Sequence, residues 1–181
     1  MNRDTIVPGR HPRGVPQHGC FEPGVVVRTI RVASTLSIGY RPELERIVFF
    51  NPEQNQVTVP LVASVRRYGI PETIESAASL RFRVRAFGEV QTLFALDDTE
   101  GVPRLAGVVM FTRESTESML VLHLAIHEHY TARGAHARAG VTGRLLAAVR
   151  RLSMRTRGVE SLRMVYPRPV RVALRKPRVS T

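Results

Sequence analysis

The feature that most constrains the fold is a strand, a loop, a helix and a second strand that follow one another between residues 119 and 166. The apolar run MLVLHLAI at 119–126 has the length and composition of a buried strand. A glycine-bearing loop and an amphipathic helix that Gly158 ends come next, and SLRMVY at 161–166 favours a further strand. This order predicts a βαβ unit. The helix has an apolar stripe of Val141, Leu145, Ala148, Val149 and Leu152, opposite Arg144, Arg151 and Arg155.

Turn-rich segments separate three apolar runs before that helix. The runs at 90–96, 105–111 and 119–126 are joined by DDTEGVPR and TRESTES, which predicts an antiparallel meander. The run at 25–33 favours another strand, and residues 170–174 favour one more. We therefore expect an α/β fold with a mixed, mostly antiparallel central sheet and flanking helices.

Two segments between these runs are ambiguous. Residues 46–62 contain β-prone runs around NPEQN, which predicts two strands, with Pro60 placing the second at an edge or ending it. Residues 72–88 place Ala77, Leu80, Val84 and Phe87 at helical spacing with Gly88 as a stop, which favours a helix. The stretch 81–85 also alternates polar and apolar residues, as a strand would.

The chain divides into an arm and one domain. Residues 1–24 hold four prolines and four glycines without periodicity and predict an extended arm, so that 25–181 forms a single domain with a basic tail. One cysteine, Cys20, permits no internal disulfide. No secretory signal and no apolar run of about 20 residues is present. We expect a protein of the cytoplasm or an organelle matrix, away from membranes.

The positive charge lies at one end of the sequence. Residues 1–129 contain 14 basic and 14 acidic residues, whereas residues 130–181 contain 13 and 1. Lys176 is the only lysine, so the charge is carried by guanidiniums, which suit bidentate contacts with phosphate or carboxylate. Codon bias in a GC-rich genome is an alternative explanation for arginine over lysine, but it would not account for the missing acids.

The loop before the predicted helix has the composition of a phosphate site. In a βαβ unit, free N–H groups and the helix dipole favour an anion at the helix N-terminus. Gly140 and Gly143 leave room there for a phosphate, and Arg133, Arg138 and Arg144 add charge. Glycines also open many helices for steric reasons alone.

Histidines in the same region raise the question of a metal. His123, His127 and His129 would share one side of a strand, but zinc needs a fourth ligand and orienting carboxylates. Only Glu128 and His136 are near, and Glu128 would point to the opposite face. We predict no metal, with His123 half buried in the sheet and the other histidines in a polar loop.

Few residues fit the chemistry of catalysis. Cys20 lies in the arm, Ser115 and Ser118 lie in a turn, and no nucleophile elbow, Walker motif or dinucleotide fingerprint is present. Glu128 and His127, at the end of a strand, could act as a general base. Glu128 is the first choice.

This arrangement resembles the Gcn5-related N-acetyltransferase (GNAT) family. ARAGVTGRLL at 137–146 is similar to the family's R/Q-x-x-G-x-G/A loop and leucine-bearing helix, with Gly140 and Thr142 on the two small positions. LAGVVMF, LHLAIHEHY and LRFRVRAF are similar to the second meander strand, the strand before the loop and the first helix, so that the likeness covers roughly residues 72–166.

The resemblance implies acetyl-CoA (acyl-CoA) as cofactor and acyl transfer to an amine acceptor. It places the pantetheine arm on the backbone of Leu124, Ala125 and Ile126. Ala137 stands where the family has Arg or Gln, His129 replaces its proline, and the late helix with the tyrosine that protonates the thiolate has no counterpart. The pyrophosphate loop would comprise Arg138, Ala139, Gly140, Val141, Thr142, Gly143 and Arg144.

Two other functions fit the sequence. A non-enzymatic basic subunit would bind RNA within a ribonucleoprotein assembly through residues 130–181. The chain has no tryptophan and no aromatic strand of the kind that reads RNA bases. The other hypothesis is an α/β domain whose basic surface contacts solvent and binds no partner. Strands 119–126 and 161–166 that lie parallel and splay apart would favour the acyltransferase.

Overall fold

The computed structural model describes residues 27–51, 58–165 and 170–174, in which one mixed sheet is covered by helices on both faces. The predicted arm, residues 1–24, and most of residues 166–181 at the basic C-terminal end lie outside these ranges. The elements in chain order are β1 (Ile30–Ala33), α1 (Arg41–Phe49), α2 (Thr58–Tyr68), β2 (Glu72–Ser76), β3 (Ser79–Val84), β4 (Gly88–Asp97), β5 (Arg104–Arg113), β6 (Ser118–Ile126), α3 (Val141–Arg155), β7 (Ser161–Met164) and β8 (Val170–Ala173).

The sheet is mixed and mostly antiparallel, as predicted. Its order is β2-β3-β4-β5-β6-β7-β8, and β1 pairs with β4 beside this path. The only parallel pair among these strands is β6 with β7. The meander of β4, β5 and β6 is confirmed, since hairpin connections allow consecutive strands to pair antiparallel.

Two apolar layers lie on opposite faces of the sheet. Leu93 and Ala95 of β4 face α3, whereas Phe94 and Leu96 face α1 and Tyr68 at the end of α2. Because side chains alternate along a strand, a strand buried on both faces is apolar at consecutive positions. This explains the unbroken apolar runs that marked β4, β5 and β6 in the sequence.

The prediction of two strands within 46–62 is wrong. Residues up to Phe49 belong to α1, and α2 begins at Thr58. Helical spacing places Leu44, Ile47 and Val48 together in the core, so packing of this face outweighs the strand preference of the β-branched residues. Pro60 is the third residue of α2, in the first turn, where a missing N–H has no intrahelical partner to lose.

The helix predicted over 72–88 is also wrong, because this segment forms the β2–β3 hairpin. Leu80, Phe82 and Val84 are buried on one face of β3, so alternation rather than helical spacing describes the segment. A two-residue turn joins the strands at Ala77 and Ala78, whose φ angles are 47° and 59°. Alanine gives no turn signal, so the hairpin was not apparent in the sequence.

The strand–helix–strand prediction is confirmed at the C-terminal end. Helix α3 follows β6, and β7 pairs parallel to β6 from Ser118–Ser161 to Val121–Met164. Strand β8 adds antiparallel to β7. The stripe of α3 is buried as expected except at Leu152, which is 39% exposed at the edge of the stripe.

Strand β6 continues beyond its parallel partner. Val121 is the last β6 residue paired with β7, and Leu122–Ile126 extend further. A bulge occurs at this point, because Phe111 of β5 pairs with Val121 while Met110 pairs with His123. A bulge bends and twists a strand. In the described part of the chain, β6 therefore has an edge without a strand partner beside α3.

Candidate anion-binding site at the start of α3

The connection from β6 to α3 is a compact loop. After Ile126 the chain forms 3₁₀ turns at Glu128–Tyr130 and Ala137–Ala139, and Gly140 turns it into α3 with φ 63° and ψ 33°. Gly134 lies against the backbone of Glu128 and His129, and a Cβ there would overlap both. The loop therefore needs a residue without a side chain at position 134.

A buried polar network anchors this loop to the sheet. The Tyr130 hydroxyl donates to Asp97 at 2.6 Å, and the same carboxylate accepts from Arg28 at 2.8 Å and from the Thr99 hydroxyl at 2.5 Å. Burial alone would raise the pKa of Asp97, but the hydrogen bonds from Thr99, Tyr130 and Arg28 outweigh it and hold this pKa well below its usual range. Burial, followed by the bond to Asp97, raises the pKa of Tyr130.

The N-terminus of α3 has no cap from the described residues. Gly140 is the N-cap and has no side chain, the first turn contains no acid, and the first helical bond runs from Arg144 N–H to Gly140 C=O at 3.1 Å. The N–H groups of residues 141–143 thus meet no acceptor in the described ranges. A Cβ placed on Gly143 would meet no described atom outside the helix backbone within 4 Å, so the described residues leave the side of this turn open.

A basic cleft of about 590 Å³ lies beside this helix end. Arg28, Arg138, Arg144 and His136 line it, and the described lining holds no acidic residue. Arg144 is held across the last 3₁₀ turn, because its Nε donates to Ala139 O at 3.1 Å. Arg28 is paired with Asp97, whereas Arg138 and Arg144 form no ion pair with a described residue. The helix dipole and these two guanidiniums act in the same direction, so the cleft favours a multiply charged anion.

The resemblance assigns the pantetheine arm to Leu124, Ala125 and Ile126, and the backbone N–H and C=O groups of these β6 residues point in different directions. Ala125 lies in a hydrogen-bonded position opposite Val108, since His127 N–H donates to Ala106 O. Leu124 is the alternate residue, so its N–H and C=O point away from β5 toward the free edge. The Ile126 carbonyl points the same way but accepts from Asn51 at 2.7 Å. Leu124 therefore offers the clearest backbone contact at the opening.

The predicted catalytic pair lies at a second cavity, of about 240 Å³, beside α1. Arg46 donates to Nε2 of His127 at 2.5 Å and lies 3.7 Å from Glu128. The His129 N–H faces Nδ1 of His127, so both ring nitrogens of this buried side chain face N–H donors. Burial, then the charges of Arg46 and His129, lower the pKa of His127. Glu128 is half exposed and reaches solvent at the cavity mouth.

The histidines do not gather as one group. His127, Glu128 and His129 have ligand atoms within 4.8 Å of one another. His123, which we expected to be half buried, is fully buried on the α1 face of the sheet, where burial lowers its pKa to about 4. Arg46 contacts both His127 and Glu128, so a cation bound to this group would meet a guanidinium.

Sequence reasoning missed Arg28, Arg46 and Asp97. Arg46 contacts His127 across 81 positions of the chain, Asp97 contacts Tyr130 across 33, and Arg28 pairs with Asp97 across 69. Periodicity carries no signal at these separations. Among the described residues, no helix is long and apolar enough to span a membrane.

Comparison with known proteins gives no match: no family model fits the chain, and neither a curated protein nor a solved structure is significantly similar to it.

Proposed function

We propose that this protein binds acyl-CoA at the start of α3 and transfers its acyl group to an amine. One observation carries the proposal, namely the N-terminus of α3, which no described residue caps and which lies beside an arginine-lined cleft. The resemblance of residues 137–146 to the GNAT loop points to the same ligand.

The cleft suits a pyrophosphate. Three N–H groups of the first turn would receive its oxygens, with Arg138 and Arg144 as flanking cations. Gly143 leaves the space that a phosphate needs above the turn.

The free edge of β6 suits the pantetheine arm. This arm carries amides, and an amide chain is recognised by a strand edge through backbone hydrogen bonds. Leu122–Ile126 offer about 16 Å of edge at the usual rise per residue. The edge and the open turn of α3 lie at the same end of the βαβ unit, so one extended ligand would contact both.

Transfer of the acyl group to an amine requires a proton acceptor. As the amine nitrogen attacks the thioester carbonyl carbon, a C–N bond forms, the C–S bond breaks, the amine loses a proton and the thiolate gains one. Glu128 is the proposed acceptor, because its carboxylate is solvent-accessible in the cavity next to the end of β6. His127 serves this role less well, since Arg46 occupies its Nε2.

Calorimetric titration with acetyl-CoA tests the proposal. We expect saturable binding by the full chain and a loss of at least about tenfold in affinity for Gly143→Glu, which places a carboxylate at the open turn. The matched control is Ala147→Glu, an exposed position one turn further along α3, which should change affinity by less than about threefold. Absence of binding at millimolar acetyl-CoA, or an equal loss in both variants, would contradict the proposal.

A second function is favoured by the outer face of α3. Arg144, Arg151 and Arg155 lie within one narrow arc of the helix, and none forms an ion pair with a described residue. Most other basic groups away from this region pair with acids, as Arg163 does with Glu114 at 2.6 Å. Such a row of uncompensated guanidiniums fits the phosphates of RNA, which supports the reading of the protein as a basic ribonucleoprotein subunit.

A further inference from the structure

A small apolar cavity of about 110 Å³ lies between α1, α2 and the sheet, apart from the anion-binding cleft. Its walls come from Val48 of α1, Leu61 and Val65 of α2, and Leu122 of β6. Among the described residues that line it, none is acidic or basic other than His123. The cavity therefore suits a hydrocarbon group rather than a polar one.

The cavity adjoins the free edge of β6. Leu122 and His123 line it, and they are the first two β6 residues beyond the last pair with β7. The bulge at Leu122 places both side chains on the same face of the sheet, the face that carries α1 and α2. Any group that follows the free edge of β6 through the sheet would thus arrive at this cavity.

A second cavity lies on the other side of two α2 side chains. A cavity of about 210 Å³ beside α2 is lined by Leu120, Met164 and Val165 at the point where β6 and β7 separate. Ser64 and Tyr68 of α2 belong to the walls of both cavities, so these two side chains form the partition between them. The outer cavity thus lies at the separation of the strands and the inner cavity lies beneath α2, on opposite sides of Ser64 and Tyr68.

The size of the inner cavity limits what it can hold. A water molecule occupies roughly 30 Å³ in the liquid, so about 110 Å³ accommodates roughly four groups of methylene size. An acetyl methyl group would leave most of this space empty, whereas an acyl chain of about four to six carbons would fill it.

We propose that the cavity bounded by Leu61, Val65, Leu122 and His123 binds the hydrocarbon chain of an acyl group of about four to six carbons carried on CoA. This inference rests on the proposed function and adds the class of acyl donor. The loose fit of acetyl and the position at the free edge of β6 select this occupant over an apolar acceptor molecule.

Calorimetry with acetyl-, butanoyl-, hexanoyl- and decanoyl-CoA on the full chain tests the inference. Each buried methylene is expected to tighten binding about fourfold, so butanoyl-CoA, with two more methylenes, should bind about fifteenfold more tightly than acetyl-CoA. The gain should end once the cavity is full, which leaves decanoyl-CoA no tighter than hexanoyl-CoA.

Substitutions in α2 identify the cavity as the cause. Ser64→Leu fills the space and should remove the gain from longer chains while acetyl-CoA binds as before. The control Val62→Leu places the same side chain at an exposed position of α2 that lines neither cavity and should leave the gain in place. Val65→Ala enlarges the cavity and should move the optimum to a longer chain, which keeps the test available if Ser64→Leu does not fold.

The possible outcomes separate the two proposals. If acetyl-CoA binds but affinity does not change with acyl-chain length, the acyl-chain inference alone is overturned. The same holds if longer chains bind more tightly and Ser64→Leu does not remove this increase in affinity. If none of the four thioesters binds, both the inference and the proposed function are overturned. If the series is flat but apolar amines bind and Ser64→Leu blocks them, the cavity belongs to the acceptor and the inference is wrong.

Discussion

Asp97 is the residue on which the position of the candidate loop depends most. Its carboxylate joins Arg28, Thr99 and Tyr130, which come from the segment before β1, the β4–β5 turn and the loop after β6. The sequence identified Tyr130 only as part of the step before the GNAT-like loop. Its partner was not predictable, because a hydrogen bond across 33 residues has no local pattern.

At the same scale, His123 should make the protein sensitive to acid. Burial lowers its pKa to about 4 in the folded chain, against about 6.5 when unfolded. The unfolded state therefore binds more protons between these values, and the free energy of unfolding should fall as the pH decreases from about 6.5 to 4. The loss is expected to be about 3 kcal/mol, measured by urea denaturation over this pH range.

A variant separates this effect from general acid denaturation. His123→Gln retains a hydrogen-bonding side chain near the Val48 backbone but does not titrate, so its unfolding free energy should vary less between pH 6.5 and about 4. The control Gln91→Asn changes an exposed residue without a titratable group and should keep the slope of the parent chain. Equal slopes for the two variants would show that His123 is not the titrating group.

At the scale of elements, the sequence predicted best where burial on both sides leaves long apolar runs. Strands β4, β5 and β6 and helix α3 follow from such runs or from a clear stripe, and their order predicts the βαβ unit. The prediction failed for α1, α2 and the β2–β3 hairpin, which are half exposed. There a few β-branched residues or a chance helical spacing outweighed weaker signals, and only tertiary contacts decide the structure.

The candidate site was predictable to a similar extent. The glycines and arginines of 137–144 marked the start of α3 because the backbone of a helix N-terminus has the same needs in any fold. The cavity beneath α2 was not predictable, because the sequence predicts a strand where α2 begins and no residue pattern indicates the bulge at Leu122.

The turn of the β2–β3 hairpin gives a prediction about stability. Ala77 and Ala78 both have positive φ, a conformation that costs L-residues about 1–2 kcal/mol and that an Asn-Gly pair adopts readily. The double substitution Ala77→Asn/Ala78→Gly should therefore raise the free energy of unfolding by about 1–2 kcal/mol in chemical denaturation.

The control for this change is another alanine-to-glycine substitution. Ala147→Gly, at an exposed position of α3, should lower stability by about 1 kcal/mol because glycine weakens a helix interior. Single substitutions Ala78→Gly and Ala147→Gly should thus have opposite signs. Two losses of the same size would mean that the turn is not strained.

At the scale of the whole molecule, charge is divided between two regions. Acids and bases balance through residue 129, and ion pairs such as Arg31–Asp98 and Arg41–Glu75 connect them. The later residues carry 13 basic groups and 1 acid, so the outer face of α3 has a positive field that neighbouring acids do not cancel. This asymmetry is the part of the surface that the sequence described correctly.

That field leads to a prediction for RNA. If the outer face of α3 binds RNA, fluorescence anisotropy with a labelled single-stranded RNA should show affinity that falls steeply with salt. The double variant Arg151→Ala/Arg155→Ala should reduce the slope of log K against log salt by about 1.4, at roughly 0.7 per phosphate contact. Acetyl-CoA binding should persist, because both residues lie beyond the first turn of α3.

The control removes the same charge elsewhere. Arg66→Ala/Arg83→Ala changes exposed residues of α2 and β3 and should alter the salt slope little. Equal slopes in the two double variants would assign the binding to net charge rather than to α3, and no measurable binding at low salt would remove RNA as a partner.

The parallel contact between β6 and β7 spans four residue pairs, whereas β4 and β5 are paired along seven. The β7–β8 pair is therefore joined to β6 by a shorter ladder than the one that joins β5 to β4, and the amides of β7 and β8 should exchange with solvent before those of β5. A ligand seated between β6 and α3 would stabilise the closed arrangement. The protection of β7 amides from hydrogen exchange would then show whether the ligand is bound, even if the ligand does not contact β7.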